Sequence, residues 1–146
     1  MIVVDTSGLL AALDGSERHH AAAAAALRSA GPDRLLSPFV LAELDYLLTT
    51  RVDRRVARAL LDEVAAGAYQ LEPFGADDVR AAGALIDRYP DLDLGLADAS
   101  IVVLAQRHGT SDLLTLDERH FRALRDHRGQ SFRLLPADNS DQSGTG

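Results

Sequence analysis

The sequence contains no cysteine and no lysine. Without cysteine there is neither a disulfide framework nor a thiolate metal site. Without lysine, all 15 basic residues are arginine, the side chain that grips phosphate bidentately. Long apolar runs are missing too. Nothing approaches the ~18 residues of a membrane span, and the N-terminus lacks the basic segment of a secretory signal. A soluble, cytoplasmic protein with no membrane attachment is expected. Positive charge is in short supply, with a net charge of −7. That balance argues against broad binding to nucleic-acid backbone, though not against a local site.

What is present suits one globular domain. A chain of 146 residues with 47% apolar content can bury most of its unfolded surface. Ile2-Val3-Val4 reads as a buried strand, followed by a helix capped by Thr6 or Ser7 and carrying Leu9, Leu10 and Leu13. The alanine run within Arg18–Ala30 is a strong helix former, stopped by Gly31-Pro32. Arg34–Leu36 is a second strand. Ser37-Pro38 then opens a helix to about Thr50. Asp53 caps the next helix, with Val56, Leu60, Leu61 and Val64 as its apolar stripe, and Tyr69–Leu71 is a third strand candidate.

Ala76–Tyr89 is predicted helical, with Val79, Ala82, Leu85, Ile86 and Tyr89 inward, and Pro90 ends it. A helix from about Gly95 to His108 follows, closed by Gly109. After it come a strand over Asp112–Leu116, a short helix over Glu118–Leu124 and a strand over Phe132–Leu135. Strands alternating with helices predict an α/β domain with a parallel sheet and helices on both faces. The polar tail from Asp138 to Gly146 reads as disordered.

Four acidic residues interrupt or end apolar runs: Asp5, Glu43, Asp98 and Asp117. A carboxylate facing a core is costly unless it is paired or holds a metal. Asp5 and Asp117 directly follow strands, where parallel sheets bind ligands. Each taken alone also fits a helix cap or Asx turn. Glu43 shares a helical face with Phe39, Val40 and Leu47, and Asp98 with Leu94, Ile101 and Val102, so both are expected to point inward or into a cleft. Converging, the four form a hard-oxygen pocket for Mg²⁺ or Mn²⁺, the equipment of a phosphodiester hydrolase. Ser7 and Thr115, each two residues from one of these acids, are placed to hydrogen-bond a ligand carboxylate. Asp45 reads as structural, and Asp93 as a cap or an outer group. His120 reads as a surface or packing residue, and His19 and His20 as solvated. Arginines cluster at 51, 54, 55 and 58 and again at 119, 122, 125 and 128, each cluster alone reading as a solvated helix face.

Val4-Asp5-Thr6-Ser7, Ser37-Pro38-Phe39-Val40-Leu41-Ala42-Glu43-Leu44, Gly95-Leu96-Ala97-Asp98-Ala99-Ser100-Ile101 and Leu114-Thr115-Leu116-Asp117-Glu118-Arg119-His120-Phe121 stand in the order and spacing of one family. Over Met1 to Pro136 the chain resembles PIN-domain toxins of the VapC type. The resemblance implies a single PIN-like domain over residues 1–136, a central, mostly parallel sheet flanked by helices, and a tail over 137–146. It implies a Mg²⁺- or Mn²⁺-dependent endoribonuclease, the toxin half of a toxin–antitoxin pair. Asp5, Glu43, Asp98 and Asp117 would be its catalytic and metal residues. RNA substrate, a cognate antitoxin and a second copy of the chain would be its partners.

Two alternatives share the fold. One is a PIN-like nuclease in RNA maturation or DNA processing outside a toxin system. The other is a non-catalytic module that binds RNA or a partner, against which the intact acids argue. A response-regulator-like domain would want a lysine late in the chain, and there is none.

Overall fold

Five short strands, β1 (Ile2–Val4), β2 (Arg34–Leu36), β3 (Gln70–Leu71), β4 (Asp112–Leu114) and β5 (Arg133–Leu135), form one sheet in the order β3-β2-β1-β4-β5. Every pairing is parallel, with Val3 facing Leu35 on one side and Leu113 on the other. The structure, a computed structural model, describes residues 1–142. Ile2, Val3, Val4, Leu35, Leu36, Leu113 and Leu114 are all buried, as expected of strands covered on both faces. The helices are α1 (Thr6–Leu13), α2 (His20–Ser29), α3 (Pro38–Arg51), α4 (Arg54–Ala65), α5 (Ala76–Arg88), α6 (Leu96–His108) and α7 (Glu118–Phe121). Among them α6 is the innermost, buried without a break from Ala99 to Ala105.

The strand order places a topological switch beside β1. The chain steps from β1 outward to β2 and β3, then returns to the other side of β1 for β4 and β5. The crevice at the carboxyl ends of β1 and β4 is where such sheets bind ligands. Local signals start and stop the elements that border it. Ser37 Oγ accepts from the Phe39 N–H at 3.2 Å ahead of Pro38, Asp53 accepts from Arg55 N–H at 2.7 Å, and Gly109 ends α6 at φ 64°, a left-handed conformation that favours glycine.

Several expectations need correction. The N-cap position of α1 belongs to Asp5, not to Thr6 or Ser7, and the Asp5 side chain makes no capping bond. Val79 is 47% exposed: α5 buries Ala82 and Leu85 instead, leaving Val79 in its first turn outside the contact. His20 is not simply solvated, since its Nδ1 lies 2.8 Å from the Ala11 carbonyl. The helix from Glu118 stops at Phe121, because the chain then turns into a loop organised by Asp126. That buried carboxylate accepts from Ser111 Oγ at 2.5 Å and from the N–H groups of Arg128 and Gln130, each at 2.8 Å. Ala137–Gln142 forms a 3-10 helix, held because Asp138 accepts from Leu134 N–H at 2.8 Å and pairs with Arg122 at 2.8 Å. The rest of the tail expected to be disordered lies outside the described residues.

One glycine sets how closely α1 can lie on the sheet. A Cβ at Gly8 would stand 2.4 Å from the Leu114 carbonyl oxygen and 2.8 Å from Thr115 N, and both atoms belong to backbone that cannot step aside. Gly→Ala inside a helix ordinarily stabilises by about 1 kcal/mol. Here the sign reverses. Gly8→Ala is expected to lower unfolding free energy by about 1–3 kcal/mol, the usual cost of overpacking, as measured by urea titration. A stabilised variant would show that α1 has room to spare.

Candidate active site

The buried end of β1 carries the first carboxylate. Asp5 follows Val4 directly and is only 4% exposed. Its Oδ2 accepts from Ser7 Oγ at 2.8 Å and from Thr115 Oγ1 at 2.7 Å. Each hydroxyl has one proton, and both protons go to Asp5. The hydroxyl oxygens in turn accept from backbone, Ser7 Oγ from Leu116 N–H at 2.9 Å and Thr115 Oγ1 from Asp117 N–H at 3.0 Å. The end of β1 is thereby tied to the residues that leave β4.

Asp98 stands in the first turn of α6, where its Oδ2 lies 3.4 Å from the Gly95 N–H, and it is half-buried. Asp117 caps α7. Its Oδ1 accepts from His120 N–H at 3.0 Å, and its Oδ2 lies 2.7 Å from His120 Nδ1. The same Nδ1 is 3.7 Å from Asp98 Oδ2. One ligand atom from each of Asp98, Asp117 and His120 lies within 4.8 Å of the others. With Asp117 ionised, the Nδ1 tautomer that donates to it is favoured, which fixes the ring.

Glu43 does not point into the core. It is exposed, because the buried line on α3 runs through Val40, Leu44 and Leu48, one position over from the stripe the sequence suggested. It still acts on the cleft, since its charge helps raise the Asp98 carboxyl. The two helices that carry Glu43 and Asp98 are pinned at their starts. Ser37 Oγ and Ser100 Oγ, both fully buried, lie 2.7 Å apart, and Ser100 donates onward to the Ala97 carbonyl at 2.6 Å. Asp93 is exposed in a left-handed turn ahead of α6 (φ 51°) and stands outside the cluster. His120 is the residue that sequence reasoning missed. The signal that could have found it was its i+3 spacing from a strand-end aspartate, which puts both side chains on one helical turn.

The cleft is strained electrostatically. Burial is the main cause that pushes the Asp5 carboxyl from 3.8 to about 6. The Asp98 charge adds to the rise, and the Thr115 and Ser7 hydroxyls oppose it. Asp98 is raised as well, first by burial and further by Asp117 and Glu43, against the Gly95 N–H and His120.

The PIN domain profile matches residues 2–126. The chain belongs to the PIN-domain family. It is 44% identical over 135 residues to Ribonuclease VapC26 of Mycobacterium tuberculosis, which spans 92% of this chain and the whole of that protein. The PIN fold is shared with Mycobacterium tuberculosis VapC20, a sarcin-ricin loop cleaving toxin. That likeness has a TM-score of 0.75 and 24% identity, over 81% of this chain and 91% of that one. A toxin–antitoxin complex from Klebsiella pneumoniae has a TM-score of 0.64 and 22% identity, over 85% and 92% of the two chains. This chain is thus a PIN-domain protein of the VapC type. PIN nucleases generally depend on a divalent cation, and the donor set here fits one. Hard oxygens dominate it, with one imidazole. Among the described residues, no arginine pairs with Asp5, Glu43, Asp98 or Asp117. No helix among them is long and apolar enough to cross a membrane.

The raised Asp5 has a definite consequence for stability. In the metal-free protein the folded state holds the Asp5 proton more tightly than the unfolded chain does, so this group's contribution falls as pH rises from about 4 to about 6. A rise from 3.8 to about 6 corresponds to about 3 kcal/mol lost by neutral pH. Asp98 acts with the same sign. In EDTA, Asp5→Asn is expected to match or exceed wild-type stability at pH 7.5 and to lose most of the decline between pH 5 and 7.5. Urea titrations at the two pH values measure this, and a wild type that gains stability across that window would contradict it.

Proposed function

We propose that the cleft at the carboxyl ends of β1 and β4 is the hydrolytic centre of a Mg²⁺- or Mn²⁺-dependent endoribonuclease, the toxin half of a toxin–antitoxin pair. One observation carries the proposal. Asp98, Asp117 and His120 offer ligand atoms within 4.8 Å of one another, beside the buried Asp5 at the topological switch of a PIN fold.

In this proposal Asp5, Asp98 and Asp117 hold the cation, and Glu43 stands at the open rim. A bound divalent cation supplies positive charge to the scissile phosphate and a more acidic water. The rest is done by the chain. Ser7 and Thr115 hold Asp5 Oδ2 in place with their two hydroxyl protons. His120 Nδ1 holds Asp117 Oδ2, so that carboxylate keeps one orientation while substrate enters. Glu43, exposed on α3, accepts a hydrogen bond from the attacking water and orients it. The water oxygen bonds to phosphorus as its proton passes to solvent, the phosphorus–oxygen bond to the leaving ribose breaks, and the leaving oxygen takes up a proton from solvent. A cognate antitoxin and a second copy of the chain are the protein partners, and the cytoplasm is the place of action.

Asp98→Asn is expected to reduce metal-dependent RNA cleavage at least a hundredfold while its melting temperature in EDTA equals or exceeds wild type, because removing one charge relieves repulsion among the acids. Millimolar Mn²⁺ is expected to raise the wild-type melting temperature by mass action and to do so far less in the variant. Full cleavage by Asp98→Asn, or a wild type indifferent to Mn²⁺, would refute the proposal.

A further inference from the structure

The groove between α3 and α4 holds a chemistry that the acidic cleft does not use. It has a volume of about 390 Å³, with Asp45, Tyr46 and Thr49 on its α3 wall and Arg54 and Arg58 on its α4 wall. Tyr46 is 67% exposed, the most open of the large hydrophobic side chains. Arg58 is tied to Asp62 on its own helix at 3.0 Å. Arg51, Arg54 and Arg55 pair with no carboxylate among the described residues, unlike Arg80, Arg107, Arg122 and Arg133. A protein with net charge −7 has acids to spare for its arginines. At the α3–α4 junction it leaves a cluster of them unengaged.

The groove and the acidic cleft share helix α3, which carries Glu43 toward one and Tyr46 into the other. Tyr46 follows Glu43 by three residues, so the two side chains neighbour each other on α3, about 4.5 Å apart along its axis. Arginine and an exposed aromatic ring are the pair that holds single-stranded nucleic acid, the ring by stacking a base and the guanidinium by neutralising phosphate. They also supply the attraction that an acidic cleft cannot.

We propose that the α3–α4 groove is a substrate subsite for the nucleotides of single-stranded RNA that flank the cleaved bond. A base stacks on Tyr46, phosphates lie on Arg54 and Arg58, and Asp45 is the acceptor within the groove for a 2′-hydroxyl. The substrate class rests on the nuclease proposed above.

A nested set of oligoribonucleotides sharing one cleavage site and extended stepwise on either side, cleaved by the full chain in Mn²⁺, tests the subsite. KM is expected to fall once the strand is long enough to reach the groove, with kcat unchanged. Tyr46→Ala is expected to raise KM about fivefold to tenfold for the long substrates alone, in line with base stacking on an aromatic ring, while Tyr46→Phe retains the wild-type value. Arg54→Ala with Arg58→Ala is expected to flatten the salt dependence of binding by about 0.7 in log–log slope for each phosphate no longer neutralised. The proposal is overturned if Tyr46→Ala and wild type share one KM at every length. It is equally overturned if these variants change only antitoxin inhibition or self-association, which would make the groove a protein interface. Should wild type cleave nothing, the nuclease assignment fails, and the same unmodified oligoribonucleotide read by fluorescence anisotropy still decides the groove. Weaker binding by Tyr46→Ala supports the subsite, and equal binding overturns it.

Discussion

The arrangement of the molecule turns on a carboxylate held inside it. Asp5 sits at the end of the central strand with Ser7 and Thr115 donating to the same oxygen, and the two hydroxyls reach it only because α1 lies hard against the β4 backbone at Gly8. That contact joins the first strand of the chain to the fourth across a topological switch. It also sets where Asp117 and His120 emerge, since both follow Thr115 within a few residues and Asp117 N–H bonds back to the Thr115 hydroxyl. The cleft is therefore built into the sheet rather than draped over it, as precise positioning of charged ligands demands.

A second buried aspartate shows what is unusual about the first. Asp126 is 6% exposed and Asp5 is 4% exposed, yet their carboxyls move in opposite directions. Asp126 is lowered to about 2, first by its bond from Ser111, with the Gln130 and Arg128 N–H groups and the Arg128 charge adding to the effect. Asp5 receives two hydroxyl protons that do not offset its burial, and it faces another acid. The Asp126 loop is satisfied by its own surroundings. The Asp5 cleft is an unbalanced concentration of negative charge, a structure that gains from a cation. Perturbed carboxylates of this kind gather at functional sites.

Charge is distributed with the same logic at larger scale. About half of the arginines on this acidic chain engage neighbouring carboxylates or backbone carbonyls, as in Arg122 with Glu118 and Asp138 or Arg107 with Asp78. Arg51, Arg54 and Arg55 at the α3–α4 junction have no carboxylate partner among the described residues, whereas Arg58 pairs with Asp62. The helix that brings Glu43 to the cleft therefore leads directly into positively charged surface. It is aligned on α6 by the buried Ser37–Ser100 contact.

Much of this was determined by the sequence alone. Alternation of apolar runs with capped helical segments placed all five strands and the helices around them, because burial, capping and proline or glycine stops act within a few residues. Asp5, Asp98 and Asp117 were visible as acids in apolar company for the same reason. What only the tertiary structure decided involves residues far apart in the chain. The sheet order put the ends of β1 and β4 side by side. Packing turned the α3 stripe by one position, so that Glu43 stands at the rim rather than in the core. His120 joined the acids because α7 begins where Asp98 of α6 arrives, and Asp138 folded the start of the supposed tail by finding Arg122 and the Leu134 N–H. Periodicity records which side of an element is apolar. It carries no information about which partner that side meets, and electrostatic contacts of this kind depend on the meeting.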